Sequence, residues 1–187
     1  SLATAVADLT STFTGELLKP GDTGYDEARR VHNGLIDKRP ALIARCRGTA
    51  DVADAVKLAR TLNLEVAIRG GGHNVAGRAT IDNGLMIDLA PMKGIHVDPR
   101  AKLARAQGGV LWKEYNRETQ VHGLATTGGV VGTTGIAGLT LGGGLGWLMP
   151  KYGLALDHLR SVELVMADGS VRRASAAEHP DLFWAGR

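Results

Sequence analysis

Cysteine is almost absent from this sequence. Cys46 stands alone among 187 residues, which excludes an internal disulfide and fits a reducing compartment, so a cytoplasmic location is expected. Charge of one sign is not concentrated either: 22 Lys and Arg stand against 19 Asp and Glu, a net charge of +3. Without a run of like charges there is no electrostatic footprint for nucleic acid. Aromatic residues make up only 4%. No basic start followed by an apolar block opens the chain, so no signal peptide is expected. Residues 119–150 lack Asp, Glu, Lys and Arg, but ten of those 32 residues are glycine and five are threonine between 126 and 140. Each glycine costs a helix about 1 kcal/mol, so this stretch reads as a buried irregular segment lining a ligand and not as a membrane span.

Glycine is what the chain has in excess, 26 residues of 187, roughly twice ordinary usage. Glycine brings bare backbone close to something, and a bound cofactor is the natural candidate. Length and composition otherwise describe a globular chain of one domain or two small ones, and the order of elements read next makes its fold class α+β.

Residues 1–13 and 22–33 read as short helices, split by Gly15, Pro20 and Gly21. Ala41–Cys46 is an apolar run suited to a strand. Thr49 is placed as an N-cap, and Val52, Ala55, Val56, Ala59 and Leu62 follow at helical spacing over about 50–62. Val66–Arg69 is a strand running into three glycines, which completes a βαβ unit. Leu85–Leu89, Ile95–Val97 and Leu103–Ala106 read as strands, and 110–121 as a helix. Val162–Ala167 and Val171–Arg173 form a hairpin across a two-residue Asp168-Gly169 turn, before a last helix over 176–185. The division expected is a small βαβ subdomain over about 1–90 and a larger mixed or antiparallel one with flanking helices over about 91–187.

Two segments carry chemistry. In Arg69-Gly70-Gly71-Gly72-His73-Asn74-Val75-Ala76-Gly77, glycines directly after a strand let successive N–H groups converge into a nest for phosphate oxygens. No Gly-Lys-Ser/Thr follows and G-x-G-x-x-G occurs nowhere, so this is neither a P-loop nor the dinucleotide fingerprint. A plain glycine turn explains the segment equally well by itself. The second segment runs from Gly128-Gly129-Val130-Val131-Gly132-Thr133-Thr134-Gly135-Ile136-Ala137-Gly138 to Gly142-Gly143-Gly144-Leu145-Gly146. Small residues recur there every two to four positions, which suits a backbone pressed on an extended ligand. His32, His96, His122, His158 and His179 show no metal-ligand spacing, so no metal is expected. Asp82, Asp88 and Asp98 read as structural, Cys46 as a small buried hydrophobe, and Trp112, Trp147 and Trp184 as core or interface residues.

Taken in order, these motifs resemble the PCMH-type FAD-binding domain of the vanillyl-alcohol oxidase / p-cresol methylhydroxylase superfamily, and more closely its berberine-bridge-enzyme-like oxidoreductases. Asn33-Gly34-Leu35-Ile36 to Pro40, Lys151-Tyr152-Gly153-Leu154 and Asp181-Leu182-Phe183-Trp184 extend the likeness over roughly 30–187. The resemblance implies FAD as cofactor, with its pyrophosphate cradled by the first loop and its 8α carbon bonded to His73. The cofactor-binding residues it implies are Arg69, Gly70, Gly71, Gly72, His73, Asn74, Gly77, Gly129, Val131, Thr133, Thr134, Gly135, Gly138, Gly142 and Gly143. Doubly linked members carry a cysteine where this chain has Val131, so a single histidine link is implied. They also carry a histidine and a tyrosine where this chain has Leu139 and Leu145, and roles tied to those side chains do not carry over.

Family members run on past this point into a substrate domain, which would hold the catalytic residues. The expectation is therefore a truncated flavin domain, inactive alone, with newly bared apolar surface that favours homodimers. The intact protein would oxidise a small-molecule substrate by hydride transfer to flavin and reoxidation by dioxygen, with no nucleic-acid or membrane partner. The alternatives are a non-catalytic FAD- or nucleotide-binding subunit and a phosphate-binding module without flavin.

Overall fold

The apolar strings Leu42-Ile43-Ala44 and Leu85-Met86-Ile87 show no polar alternation, as strands buried on both faces require. In the computed structural model, which describes residues 2–187, they are the two central strands of a four-stranded sheet. Its members are β1 (Glu16–Leu18), β2 (Leu42–Arg45), β3 (Val66–Arg69) and β4 (Leu85–Asp88), in the order β1-β2-β4-β3. β4 runs parallel to both β2 and β3, in a register that puts Arg45 and Arg69 on either side of Asp88. β1 is an antiparallel edge on β2. All six side chains of the two apolar strings are fully buried, at about 1.5–3 kcal/mol for each of the larger ones.

Helix α1 spans Leu2–Thr10, α2 Tyr25–Ala28 and α3 Thr49–Leu62. α3 makes the crossover between β2 and β3 and buries Ala55, Leu58 and Ala59. Beneath the sheet, Leu18, Tyr25, Ala28, Ile43 and Met86 form one cluster, and the Tyr25 hydroxyl satisfies its burial by donating to the Pro40 carbonyl at 2.6 Å. This body comprises the chain up to Pro91 together with Leu164–Arg172.

The second body, Met92–Glu163 with Arg173–Arg187, is built on a hairpin of β5 (Ile95–Asp98) and β6 (Leu103–Ala106). Helices α4 (Trp112–Gln120), α5 (Ile136–Leu141), α6 (Met149–Tyr152) and α7 (Pro180–Ala185) follow, with a 3-10 turn at Ala155–His158. β7 (Ser161–Val165) and β8 (Val171–Ser175) form a further hairpin. The arrangement is mixed α+β.

Several local expectations are corrected. The first helix was expected to begin at Ser1, which lies outside the described residues; its other end comes at Thr10 and not at residue 13. The 22–33 helix is a single turn, because beyond Ala28 the chain is drawn away to bond elsewhere: the His32 amide donates to the Gly72 carbonyl at 3.0 Å. β1 was not anticipated; it is three residues held by its register on β2. Gly48, not Thr49, occupies the N-cap of α3, and Asp51 of the first turn is turned inward to accept from Thr14 and Arg47.

The Asp168-Gly169 turn is not the two-residue type, whose favoured forms both need positive φ at the first residue. Only Gly169 has positive φ, at 80°. The Gly169 amide donates to the Met166 carbonyl and the Met166 amide to the Ser170 carbonyl, a longer turn closed by one left-handed glycine. The last helix begins only at Pro180, because the Ser175 hydroxyl accepts from the Ala177 and Glu178 amides and holds that stretch as a turn.

Among the described residues no helix is long and apolar enough to cross a membrane, and no His, Cys, Asp and Glu cluster could hold a metal ion.

Candidate cofactor-binding site

Strand β3 delivers Arg69 to the rim of the first body, and the chain then turns through Gly70, Gly71 and Gly72. Gly72 has φ of 71°, the left-handed region that favours glycine. The turn leaves the amides of Gly70, Gly71, Gly72 and Asn74 with no acceptor among the described residues. Four donors in one short bend are a ready anion cradle.

Arg69 braces the turn from below. Its Nη1 donates to the Ala28 carbonyl at 2.6 Å and stands 3.9 Å from the buried Asp88 carboxylate. Arg45 reaches the same carboxylate through Nε at 3.3 Å, so one buried acid on β4 aligns two arginines at the ends of the strands that flank it. The Arg69 Nε is buried and has no hydrogen-bond partner among the described residues. A Cβ on Gly72 would stand 3.2 Å from that nitrogen.

His73 follows directly, and its ring stacks on that of His32 with centroids 3.9 Å apart and planes 11° from parallel. Burial first, and then the neighbouring His32, lower the His73 pKa from the ordinary histidine value. A lower pKa means a larger neutral fraction near pH 7, which is the nucleophilic form of imidazole. Downstream, the Gly77 amide donates to the Asn74 carbonyl, the Arg78 amide to Asn74 Oδ1, and Lys38 Nζ to the Gly77 carbonyl. Gly77 has positive φ and faces Ile36, with no room for a Cβ, so its role within the chain is close packing.

The second segment lies in the second body. The amides of Trp112, Lys113 and Ile136 donate to the carbonyls of Thr134, Gly132 and Val110 respectively, which fixes residues 131–136 along the start of α4. The Thr126 and Thr127 hydroxyls and the Trp112 indole nitrogen are buried without hydrogen-bond partners among the described residues. Gly129 packs on Trp112 and Leu139 and Gly132 on Lys113, whereas a Cβ on Gly138 would meet nothing within 4 Å. Gly143, at φ of 105°, turns the chain out of α5. Val131 is half exposed, Trp112 is core, and Trp147 and Trp184 are 85% and 79% exposed. Leu145 is also exposed. Cys46 is fully buried beyond the end of β2.

His32 was not expected at the site. Nothing in its spacing pointed to His73, and only the tertiary path of residues 29–40 brings the two rings together.

The chain belongs to the family of FAD binding domains, which it matches over residues 40–175. It is 43% identical to the (R)-6-hydroxynicotine oxidase of Paenarthrobacter nicotinovorans over 176 residues, 94% of this chain and 38% of that protein. The solved structure of BBE-like 1 from Physcomitrella patens superposes with a TM-score of 0.92 at 29% identity, over 100% of this chain and 40% of that one. Glucooligosaccharide oxidase from Acremonium strictum, described with a 6-S-cysteinyl, 8α-N1-histidyl FAD, gives 0.92 at 32% identity over 100% and 39%. The chain thus spans about 38–40% of the length of these relatives. FAD is its cofactor, and the residues fit that group. A nest of free amides and a buried, unpartnered guanidinium N–H suit phosphate, and Gly138 is an open backbone position of the kind a flat ligand needs.

Proposed function

We propose that this chain is the flavin-holding part of an FAD-dependent oxidase and that His73 is its single covalent attachment point. The observation that carries the reading is the position of His73: a partly buried imidazole, biased toward its neutral form, immediately after a turn of acceptor-free amides. Gly70, Gly71, Gly72 and Asn74 would donate their amides to the pyrophosphate, with Arg69 adding charge beneath them. Val131, Thr133, Thr134, Gly135, Gly138, Gly142 and Gly143 would line the ring system and offer backbone and hydroxyl hydrogen bonds.

A cysteinyl link like that of glucooligosaccharide oxidase has no donor within this chain. Val131 offers no thiol, and Cys46 is fully buried with its pKa pushed up to about 12, chiefly by burial. When bound, FAD would supply a two-electron acceptor for a hydride from a substrate C–H bond, with dioxygen as the final acceptor. The contribution of these residues is to bind and orient it. The acid–base groups that act on a small-molecule substrate would come from the remainder of the intact enzyme.

Flavin-fluorescence titration of Gly138→Ala tests the cradle. Alanine suits a helix better than glycine by about 1 kcal/mol, so stability should hold or rise while FAD affinity falls. Unchanged affinity would remove the second segment from the site.

A further inference from the structure

His32 lies outside every cofactor-contacting motif of the sequence, yet two bonds lace its segment to the loop on either side of His73. Its own amide donates to the Gly72 carbonyl at 3.0 Å, and the Asn33 side-chain nitrogen donates to the Val75 carbonyl at 3.1 Å. Between these anchors the two imidazoles lie face to face at 3.9 Å and 11°. The Val31 Cα closes the same side, 3.8 Å from where a Gly72 Cβ would stand. The three glycines preceding His73 supply no side-chain contact of their own to the ring, and the His32 segment packs where they do not.

We infer that His32 is a positioning residue: its ring is the platform that sets the plane of the His73 imidazole for attachment to the flavin. This rests on the covalent reading proposed above. In the attachment, an imidazole nitrogen of His73 forms a C–N bond to the flavin 8α carbon. The imidazole N–H and one 8α C–H are lost as two protons, and the two electrons released reduce the flavin, from which dioxygen removes them as hydrogen peroxide. A ring rotated out of plane would present its nitrogen lone pair wrongly, and a misplacement of this kind slows a reaction by roughly ten- to a hundredfold. The platform works by its flat face, so another aromatic ring should serve.

The test compares wild type, His32→Ala and His32→Phe in two readouts. The first is the rate at which the full chain, given FAD, gains covalent flavin mass after denaturation. The second is the ring-current shift of the His73 proton resonances in the FAD-free protein, assigned with His73→Gln. Expected are attachment about ten- to a hundredfold slower in His32→Ala, with the ring-current shift lost, and both restored in His32→Phe. A His32→Phe protein as slow as His32→Ala would overturn the platform, since the imidazole nitrogens and not the face would then be required. So would His73 resonances left unmoved in His32→Ala. A wild-type chain that binds FAD without ever gaining mass contradicts the covalent reading, and the resonances then decide the platform by themselves.

Discussion

A Cβ on Gly128 would stand 2.3 Å from the indole ring of Trp112. Trp112 is core and begins α4, so it has little room to yield. Gly128→Ala should therefore cost about 1–3 kcal/mol through overpacking. It should also disturb the Trp112 environment, visible as a lower unfolding midpoint with a shift in tryptophan emission. An alanine accepted without either change would show that the Gly128–Trp112 contact is looser than described.

The second prediction concerns Asp51. Its carboxylate is buried, which acts to raise its pKa, but hydrogen bonds from the Arg47 amide and from the Thr14 amide and hydroxyl outweigh burial, and the net direction is down. A carboxyl whose folded pKa is depressed contributes stability that is full above the unfolded value of about 3.9 and is lost as pH falls through the folded value. Asp51→Asn should cost about 1–3 kcal/mol at neutral pH and flatten the loss of stability below about pH 4. Equal acid slopes in denaturant melts of the two proteins would refute this.

Cys46 gives a third. With its thiol fully buried and its pKa pushed up to about 12, essentially no thiolate exists at pH 8. Native protein should leave a thiol reagent unconsumed, and one equivalent should react promptly in denaturant. Rapid labelling of the native chain would place Cys46 nearer the surface and reopen the question of a cysteinyl link.

Much of the first body was legible because its signals are local. The apolar runs at 42–44 and 85–87 and the helical spacing of 52–62 need only neighbours in sequence to be read. β1 was not legible, since three residues carry too little pattern and its pairing is decided by the register of Leu17 and Leu18 against β2. The 22–33 segment read as helix from composition, yet bonds beyond its first turn override it: Arg29 pairs with Asp37, and His32 reaches Gly72. Both glycine segments announced themselves by composition. What composition could not separate was the glycines that pack inward, such as Gly77 on Ile36 and Gly128 on Trp112, from one that opens outward, Gly138. His32 was invisible because its role depends on where the fold returns it.

The central claim is that His73 carries the flavin, and the intact mass of the denatured protein after exposure to FAD tests it most directly. A mass increase of one FAD, absent in His73→Ala and retained in Cys46→Ala, is the predicted result. An increase that survives His73→Ala, or a yellow native sample whose denatured mass is unmodified, would contradict it.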